Sequence, residues 1–474
     1  MTSIVNALPQ ETLDEIVDLT AVLLAPPCYS PQILSTLIAT SRYFQHRART
    51  HLYRRINVAY RAIHDNSRLE RVVDVFQTKR ELASYVKELT IRYHLKDVTL
   101  EKAGTFDNIQ DVSTHVRKGQ ALLTDLFGML GRLEVVDIFH YPMAFKGYSL
   151  ANVLWGEFEK PLVIALIGML VGRSANTLNT LKVTGIQNFP LSVLFALHSL
   201  ENLVFGPTGT VDDGETPVPD IVPWKLKSLF ATCSSRFLRA HPSLVSTTYS
   251  QMTHLRLVFD QARSFVNGWD AINAASETLV ALVIEHHADY RFPLLNAGEA
   301  KATSLKAFPH LRLLALTVFP LFSQWSSSDD IVAAAPTFLA KWLRECKFPQ
   351  LQILDIVAYL PLPLSQYGAF VSDGIIKNEE RWTNLAEAMA STEFLPQLAF
   401  VGLLVDADFV GVFAGDDDDD DELYEMQDRV EVLITQEIED VFKNVMARDG
   451  VTLGRTGMVK SEPQYRDIMK GFGK

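Results

Sequence analysis

The chain has 474 residues, of which 48% are hydrophobic and 21% charged, and its formal net charge is −12. That composition belongs to an ordered soluble protein, and a negative balance disfavours nucleic acid as the principal partner, because phosphate binding needs a basic face. Much of the excess sits in one block, Asp416–Glu422. The apolar stretch Pro161–Gly172, bounded by Lys160 and Arg173, falls short of the ~20 residues that cross a bilayer. It predicts a buried helix, and no membrane partner is expected. Glu11, Asp14 and Glu15 stand where a secretory leader needs a basic start and an apolar run. Cys28, Cys233 and Cys346 lie far apart, which supplies neither a close-spaced zinc site nor a disulfide framework. A reducing compartment, cytoplasmic or nuclear, is expected.

Residues 1–60 predict a small all-α module. Leu8-Pro9-Gln10-Glu11 is a helix start, with Pro9 suited to the first turn and Glu11 to the positive end of the helix dipole. Leu13, Ile16, Val17 and Thr20 follow at helical spacing, with Asp14, Glu15 and Asp18 on the other face. After Pro26-Pro27 a second stripe, Ile33, Leu34, Leu37 and Ile38, runs into Ser41-Arg42-Tyr43-Phe44. A third segment, Arg47 to Arg55, leads to the extended Ile56-Asn57-Val58. Three short helices make a weak core alone, so their apolar faces call for an adjoining domain or a partner.

Taken together, Leu8-Pro9-x-Glu11-x-Leu13-x-Glu15-Ile16, Leu37-x-x-x-Ser41-Arg42-x-Phe44 and Ala48-Arg49-x-x-Leu52-Tyr53-Arg54-x-Ile56 resemble an F-box in the form common among fungal proteins. In that family the module packs against the Skp adaptor of a cullin–RING ubiquitin ligase. The resemblance implies an adaptor contact through Leu8, Pro9, Glu11, Leu13, Ile16, Leu34, Leu37, Ser41, Arg42 and Phe44. The stretch between Ile16 and Leu34, with Ala25-Pro26-Pro27-Cys28-Tyr29, is longer than usual. A helical cap over the following repeats is the alternative role for the same helices.

Residues 61–410 predict an irregular leucine-rich-repeat array, an α/β solenoid with a parallel sheet; an ordinary α/β domain whose buried strands share one apolar pattern is the alternative. The pattern apolar-x-x-apolar-x-apolar starts at Val86, Leu133, Leu178, Leu200, Leu226, Met252, Leu279, Leu311, Leu351 and Leu398. The second and third apolar positions alternate, placing two side chains on one face of a short strand. Each unit buries little by itself, and stacking buries a continuous ridge. From Leu178 to Leu279 the starts step by 22, 26, 26 and 27 residues, and both ends are looser. Helices are predicted over Leu69–Val86, Gln120–Leu130, Ile331–Cys346 and Trp382–Phe394. Eight residues after the first apolar position, where regular repeats carry Asn or Cys, none of the ten segments has Asn, so the turns must satisfy their backbone otherwise. Trp224, Trp269, Trp325 and Trp382 fall in the connections, as repeat core or as hot spots at a binding surface.

Residues 411–422 read as an acidic flexible loop. Asp416, Asp418 and Asp420 have calcium-loop spacing, but Asp421 stands where that loop needs Gly and Gln427 where it needs Glu. Residues 423–449 predict an amphipathic capping helix, with Leu423, Met426, Val430, Leu433, Ile434, Ile438, Val441 and Val445 on one stripe. The Gly-rich, basic residues 450–474 are expected to be disordered. The sequence contains no phosphate-cradling glycine loop, HExxH or Gly-x-Ser-x-Gly. On a strand, the neighbours His286 and His287 would point to opposite faces. No cofactor, metal or catalytic residue is therefore expected. The reading is a non-catalytic substrate adaptor, with a ligase-independent repeat scaffold as the alternative.

Overall fold

A computed structural model describes residues 9–23, 31–40, 42–61, 66–94, 109–140, 153–205, 211–212, 225–232, 248–259, 265–286, 307–318, 329–363, 371, 380–410, 420–454 and 460–472. The chain divides into two compact units, Met1–Trp224 and Lys225–Lys474.

The first unit begins with α1 (Gln10–Leu23), α2 (Pro31–Thr40) and α3 (Arg42–Leu52). Then come β1 (Arg55–Arg61), α4 (Ser67–Thr78), α5 (Arg80–Ala83), β2 (Glu88–His94), α6 (Ile109–Met129), β3 (Val135–His140) and β4 (Val153–Leu154). The unit ends with α7 (Lys160–Ile167), β5 (Thr180–Thr184), β6 (Ile186–Gln187), β7 (Phe189–Pro190), α8 (Leu191–Phe195), β8 (Asn202–Phe205) and β9 (Val211–Asp212). Strands β1, β2, β3, β5 and β8 pair in that order, all parallel. Two short parallel pairs, β4 with β6 and β7 with β9, flank them in sequence.

The second unit carries β10 (Ser228–Thr232), β11 (His254–Phe259), α9 (Phe265–Ala275), β12 (Ala281–His286), β13 (Leu313–Val318), α10 (Asp329–Glu345) and β14 (Ile353–Pro363). It continues through α11 (Glu380–Ala390), β15 (Phe400–Val410), α12 (Asp420–Val441), α13 (Lys443–Met446), β16 (Thr452–Gly454) and α14 (Pro463–Met469). Its strands pair in sequence order from β10 to β16, again parallel.

All ten predicted apolar-x-x-apolar-x-apolar segments become strands of these sheets. Their first apolar residues, from Val86 to Leu398, are all at most 4% exposed, because each lies one turn back in the core. The helices expected over Gln120–Leu130 and Ile331–Cys346 form within α6 and α10; the one expected over Leu69–Val86 is instead two, α4 ending at Thr78 and α5 at Ala83, and the one expected over Trp382–Phe394 is α11, which ends at Ala390. Pro161–Gly172 becomes α7 followed by a π-helical turn, Gly168–Arg173, and buries Leu162, Leu166, Met169 and Leu170. Among the described residues no helix is long and apolar enough to cross a membrane.

In place of an asparagine ladder, one backbone carbonyl before each strand accepts two successive N–H groups from the next strand. The Lys87 carbonyl takes Glu134 N at 2.7 Å and Val135 N at 3.1 Å; the Val280 carbonyl takes Arg312 N and Leu313 N at 2.8 and 3.2 Å. Arg54, Glu134, Asn179, Lys227, Thr253, Arg312 and Gln352 do the same. The device needs no particular side chain, so it leaves no sequence signature. A glycine is required after β5: Gly185 has φ +76°, and a Cβ there would stand 2.5 Å from the His140 carbonyl oxygen.

The second and third apolar positions share one face of each sheet. In the first unit Ile91, Tyr93 and Ile138 line the same enclosed space as Leu123 and Phe127 of α6 and Leu162 of α7. In the second unit Leu403 and Val405 lie against Ile434 and Ile438 of α12. Register carries that face back from Leu403 through Ile356, Leu316, Ile284 and Leu257. Of the tryptophans assigned to connections, Trp269 and Trp382 are core, 5% and 1% exposed; Trp224 and Trp325 lie outside the described residues.

Two expectations for the last sixty residues are corrected. The helix predicted from Leu423 starts at Asp420, inside the acidic block, because carboxylates in a first turn meet the positive end of the dipole. Asp416 and Asp418 lie outside the described residues. Residues 450–474, expected to be disordered, include a strand and a helix: β16 adds to β15 through Thr452 N to the Ala399 carbonyl, 2.8 Å, and α14 buries Tyr465 and Ile468. Apolar burial offsets the entropy of ordering them.

Truncating a first-position leucine tests the stacked core. Leu279→Ala is expected to cost about 2–5 kcal/mol in urea unfolding. Ile164→Ala, at a side chain 61% exposed, is expected to change stability by under about 0.5 kcal/mol.

Candidate functional site

The three N-terminal helices close on a core of Val17, Leu34 and Ala48, with Ala21, Ile38, Phe44 and Leu52 packed against it. Asp18 clamps the first helix to the third. Arg47 donates to both of its carboxylate oxygens, Nε to Oδ1 and Nη2 to Oδ2, each at 2.6 Å. His51 Nε2 lies 2.8 Å from Oδ1. The Arg47 hydrogen bonds hold the Asp18 carboxyl down to about 2, burial opposing and His51 reinforcing. Neither residue was singled out from the sequence as a link, since the acidic positions of α1 were assigned to its solvent face.

The residues implied by the F-box resemblance divide between inside and outside. Leu13 and Leu34 are buried, 2% and 0% exposed, and Phe44 is half-buried against the core. Pro9, Glu11 and Ile16 are exposed. Leu37 and Arg42 sit in α2 and α3, their side chains outside the described set, as are Leu8 and Ser41 altogether. Among the described side chains of these helices, the outward large apolar ones are Ile16 (41% exposed), Leu19 (56%) and Ile33 (44%). Leu19 was missed by the sequence reading, although its three-residue step from Ile16 places the two on one side of α1.

The module is tied to the strands at one end. His46 Nδ1 lies 3.1 Å from the Tyr85 hydroxyl, with the rings edge to face at 5.7 Å. Arg54 bridges Glu88 at 3.2 Å and Glu134 at 2.9 Å, and Arg55 adds Glu88 at 2.6 Å. Beyond these pairs, the strand face of the first unit that turns away from the helices is polar. Thr90, Asp137 and Lys182 stand in one register row. Burial pushes the Asp137 carboxyl up, against the pull of Lys182 and Arg92.

The corresponding face of the second unit is apolar and covered. Ala281, Val283, Leu313, Ala315 and Ile353 form a cluster with Tyr465 and Ile468. The sequence did carry a signal for this: Tyr465-x-x-Ile468-Met469-x-x-Phe472 has helical apolar spacing, interrupted by Arg466, Asp467 and Lys470.

Among the described residues no group of three or more His, Cys, Asp or Glu could hold a metal. The His286 and His287 side chains lie outside the described set. Cys346 is a free, buried thiol, pushed up to about 12 by burial, which leaves negligible thiolate for nucleophilic chemistry. The cleft between α12 and β15 is lined by Leu403, Val405, Ile434, Ile438 and Leu453, with Glu431 and Glu439 among them. No protein-family model and no curated protein matches the chain in sequence comparison.

The Asp18 clamp makes the module pH-sensitive in one direction. Its folded carboxyl, near 2, lies below the ordinary 3.8, so its contribution is complete above about 4 and is lost as pH falls through 2. Asp18→Asn is expected to speed amide exchange in α1 and α3 at pH 7, by an amount equivalent to about 0.5–1 kcal/mol for so exposed a pair. As pH falls through 2 the difference between variant and parent should close.

Proposed function

We propose that the protein is the substrate-recruiting subunit of a Skp–cullin–F-box ubiquitin ligase. The N-terminal helices dock on the Skp adaptor, and the strand-bearing units hold a protein substrate. The strands and helices read as an irregular leucine-rich-repeat solenoid, working in the cytoplasm or nucleus. The observation that carries the reading is the outward placement of Ile16, Leu19 and Ile33 on a module whose core is already closed by Val17, Leu34 and Ala48. Large apolar side chains on a small helical surface mark a place where another protein sits. Within the implied contact set, Ile16 is then a direct contact, whereas Leu13 and Leu34 act by holding the helices in register.

In this reading the chain does no chemistry. Holding a substrate beside the charged ubiquitin-conjugating enzyme turns a bimolecular encounter into an effectively intramolecular one, and the reacting groups belong to partner subunits. No cofactor or metal enters.

A second reading, a ligase-independent scaffold with a helical cap, draws support from the His46–Tyr85 and Arg54–Glu88–Glu134 contacts. Those contacts involve α3 and the residues just after it. They leave the apolar side of α1 uncovered, which favours recruitment.

Co-expression with a Skp adaptor separates the two. The intact chain is expected to co-purify with the adaptor at 1:1. Deletion of residues 1–58, and the pair Ile16→Asp with Leu19→Asp, should each abolish co-purification, and the double variant should keep its thermal melt within a few degrees. A folded intact chain that does not co-purify would leave the scaffold reading in possession.

A further inference from the structure

Residues 460–472 lie across the strand face of the second unit that turns away from its helices. Two register rows form that bed. One runs Ser228, His254, Ala281, Leu313, Ile353, Phe400, and the next Phe230, Arg256, Val283, Ala315, Asp355, Gly402. The crossing segment sets Tyr465 and Ile468 into the middle of these rows, 9% and 4% exposed, with Met469 and Phe472 packed at the edges. His254 Nε2 donates to the Ile468 carbonyl at 2.8 Å, and its ring meets Phe472 edge-on at 5.1 Å. Gly471 passes so close to that ring that a Cβ would stand 1.9 Å from Nε2.

Three features set this contact apart from ordinary core. The segment gives no strand to the sheet, so its removal breaks no ladder of backbone hydrogen bonds. Arg256 is held within the bed itself: its Nε donates to Glu285 at 2.6 Å, and its guanidinium lies 4.3 Å from the centre of the Phe230 ring. The helix Pro463–Met469 has 7 residues, well under the ~12–15 needed for an isolated helix to persist in water, so it is helical because it is docked. The strand pairing of the bed therefore stands without the segment, while the segment is not formed without the bed.

We propose that this bed is a docking surface for a short helical peptide from a partner protein, of the pattern aromatic-x-x-aliphatic-Met-x-Gly-aromatic, and that residues 460–472 are its exchangeable occupant in cis. The chemistry that would be recognised is an aromatic ring near Asp355 and Arg256, an aliphatic side chain in the cluster of Ala281, Val283, Leu313, Ala315 and Ile353, a main-chain carbonyl at His254, and a side-chain-free position against its ring. A tethered occupant acts at an effective concentration near millimolar for a short linker. A partner peptide must outcompete it, which makes the cis segment a threshold on binding. This deepens the substrate-holding half of the proposed function and is independent of the adaptor-docking half.

The test uses the full chain with a site-specific protease sequence inserted after Thr456, so that folding precedes cutting. A fluorescent peptide of residues 460–474 is titrated against cut and uncut protein by polarisation. The cut protein is expected to take up the peptide saturably and at least ~10-fold more tightly than the uncut protein. A peptide carrying Gly471→Ala is expected to bind at least ~10-fold more weakly. An uncut chain with Ile468→Asp should bind the parent peptide as the cut chain does. Equal binding to cut and uncut protein, or equal binding of the Gly471→Ala peptide, would overturn the proposal. So would unfolding of the cut protein when the segment leaves, since the segment would then be core. Failure here with intact adaptor co-purification would remove the docking surface and leave the ligase reading standing.

Discussion

A strand in a parallel sheet cannot complete its own hydrogen bonds, and this incompleteness organises everything else in the protein. Each unit offers one carbonyl ahead of its strand, and the next unit spends two N–H groups on it, as at Lys87, Asn179, Thr253 and Gln352. The same step that satisfies the backbone also fixes register, so Leu257, Ile284, Leu316, Ile356 and Leu403 fall into one row. Stacking of the apolar residues and pairing of the backbone are thus one event, and neither is available to a single strand.

Register also decides what the other face becomes. Where the alternate positions are Thr90, Asp137 and Lys182, the first unit keeps a polar strand face. Where they are Ala281, Leu313, Ala315 and Ile353, the second unit has an apolar one, and residues 460–472 lie on it. A two-residue periodicity separates these fates, because a strand side chain has only two directions to take.

Much of this architecture is legible in the residues. The ten strands could be read because leucine-type positions at fixed offsets leave few other structures that bury them. The N-terminal helices were legible for the same reason, but which of their apolar residues face outward was not. Leu13, Ile16 and Val17 belong to one stripe, and only the packing of α2 and α3 turns Leu13 and Val17 inward and leaves Ile16 out. Thr452-Leu453-Gly454 is too short to show a period, and it is a strand because β15 offers an edge. Tyr465 and Ile468 are spaced as a helix, yet seven residues carry too little signal beside three charges. The Asp18 clamp depends on Arg47 and His51, 29 and 33 residues away, a distance that no local pattern spans.

The aromatic core gives the two parts of the chain different visibility. Trp342 stacks among Phe308, Phe338, Phe348 and Trp269, and Trp382 packs near Phe442, all within the second unit. The first tryptophan in the sequence is Trp155, so α1, α2 and α3 contain no indole. Indole emission will therefore report the loosening of the second unit's core and, through Trp155 against Phe158 and Phe189, of the first unit's, and remain blind to the opening of the N-terminal helices. An unfolding curve followed at that wavelength alone would assign the molecule the stability of its most buried part.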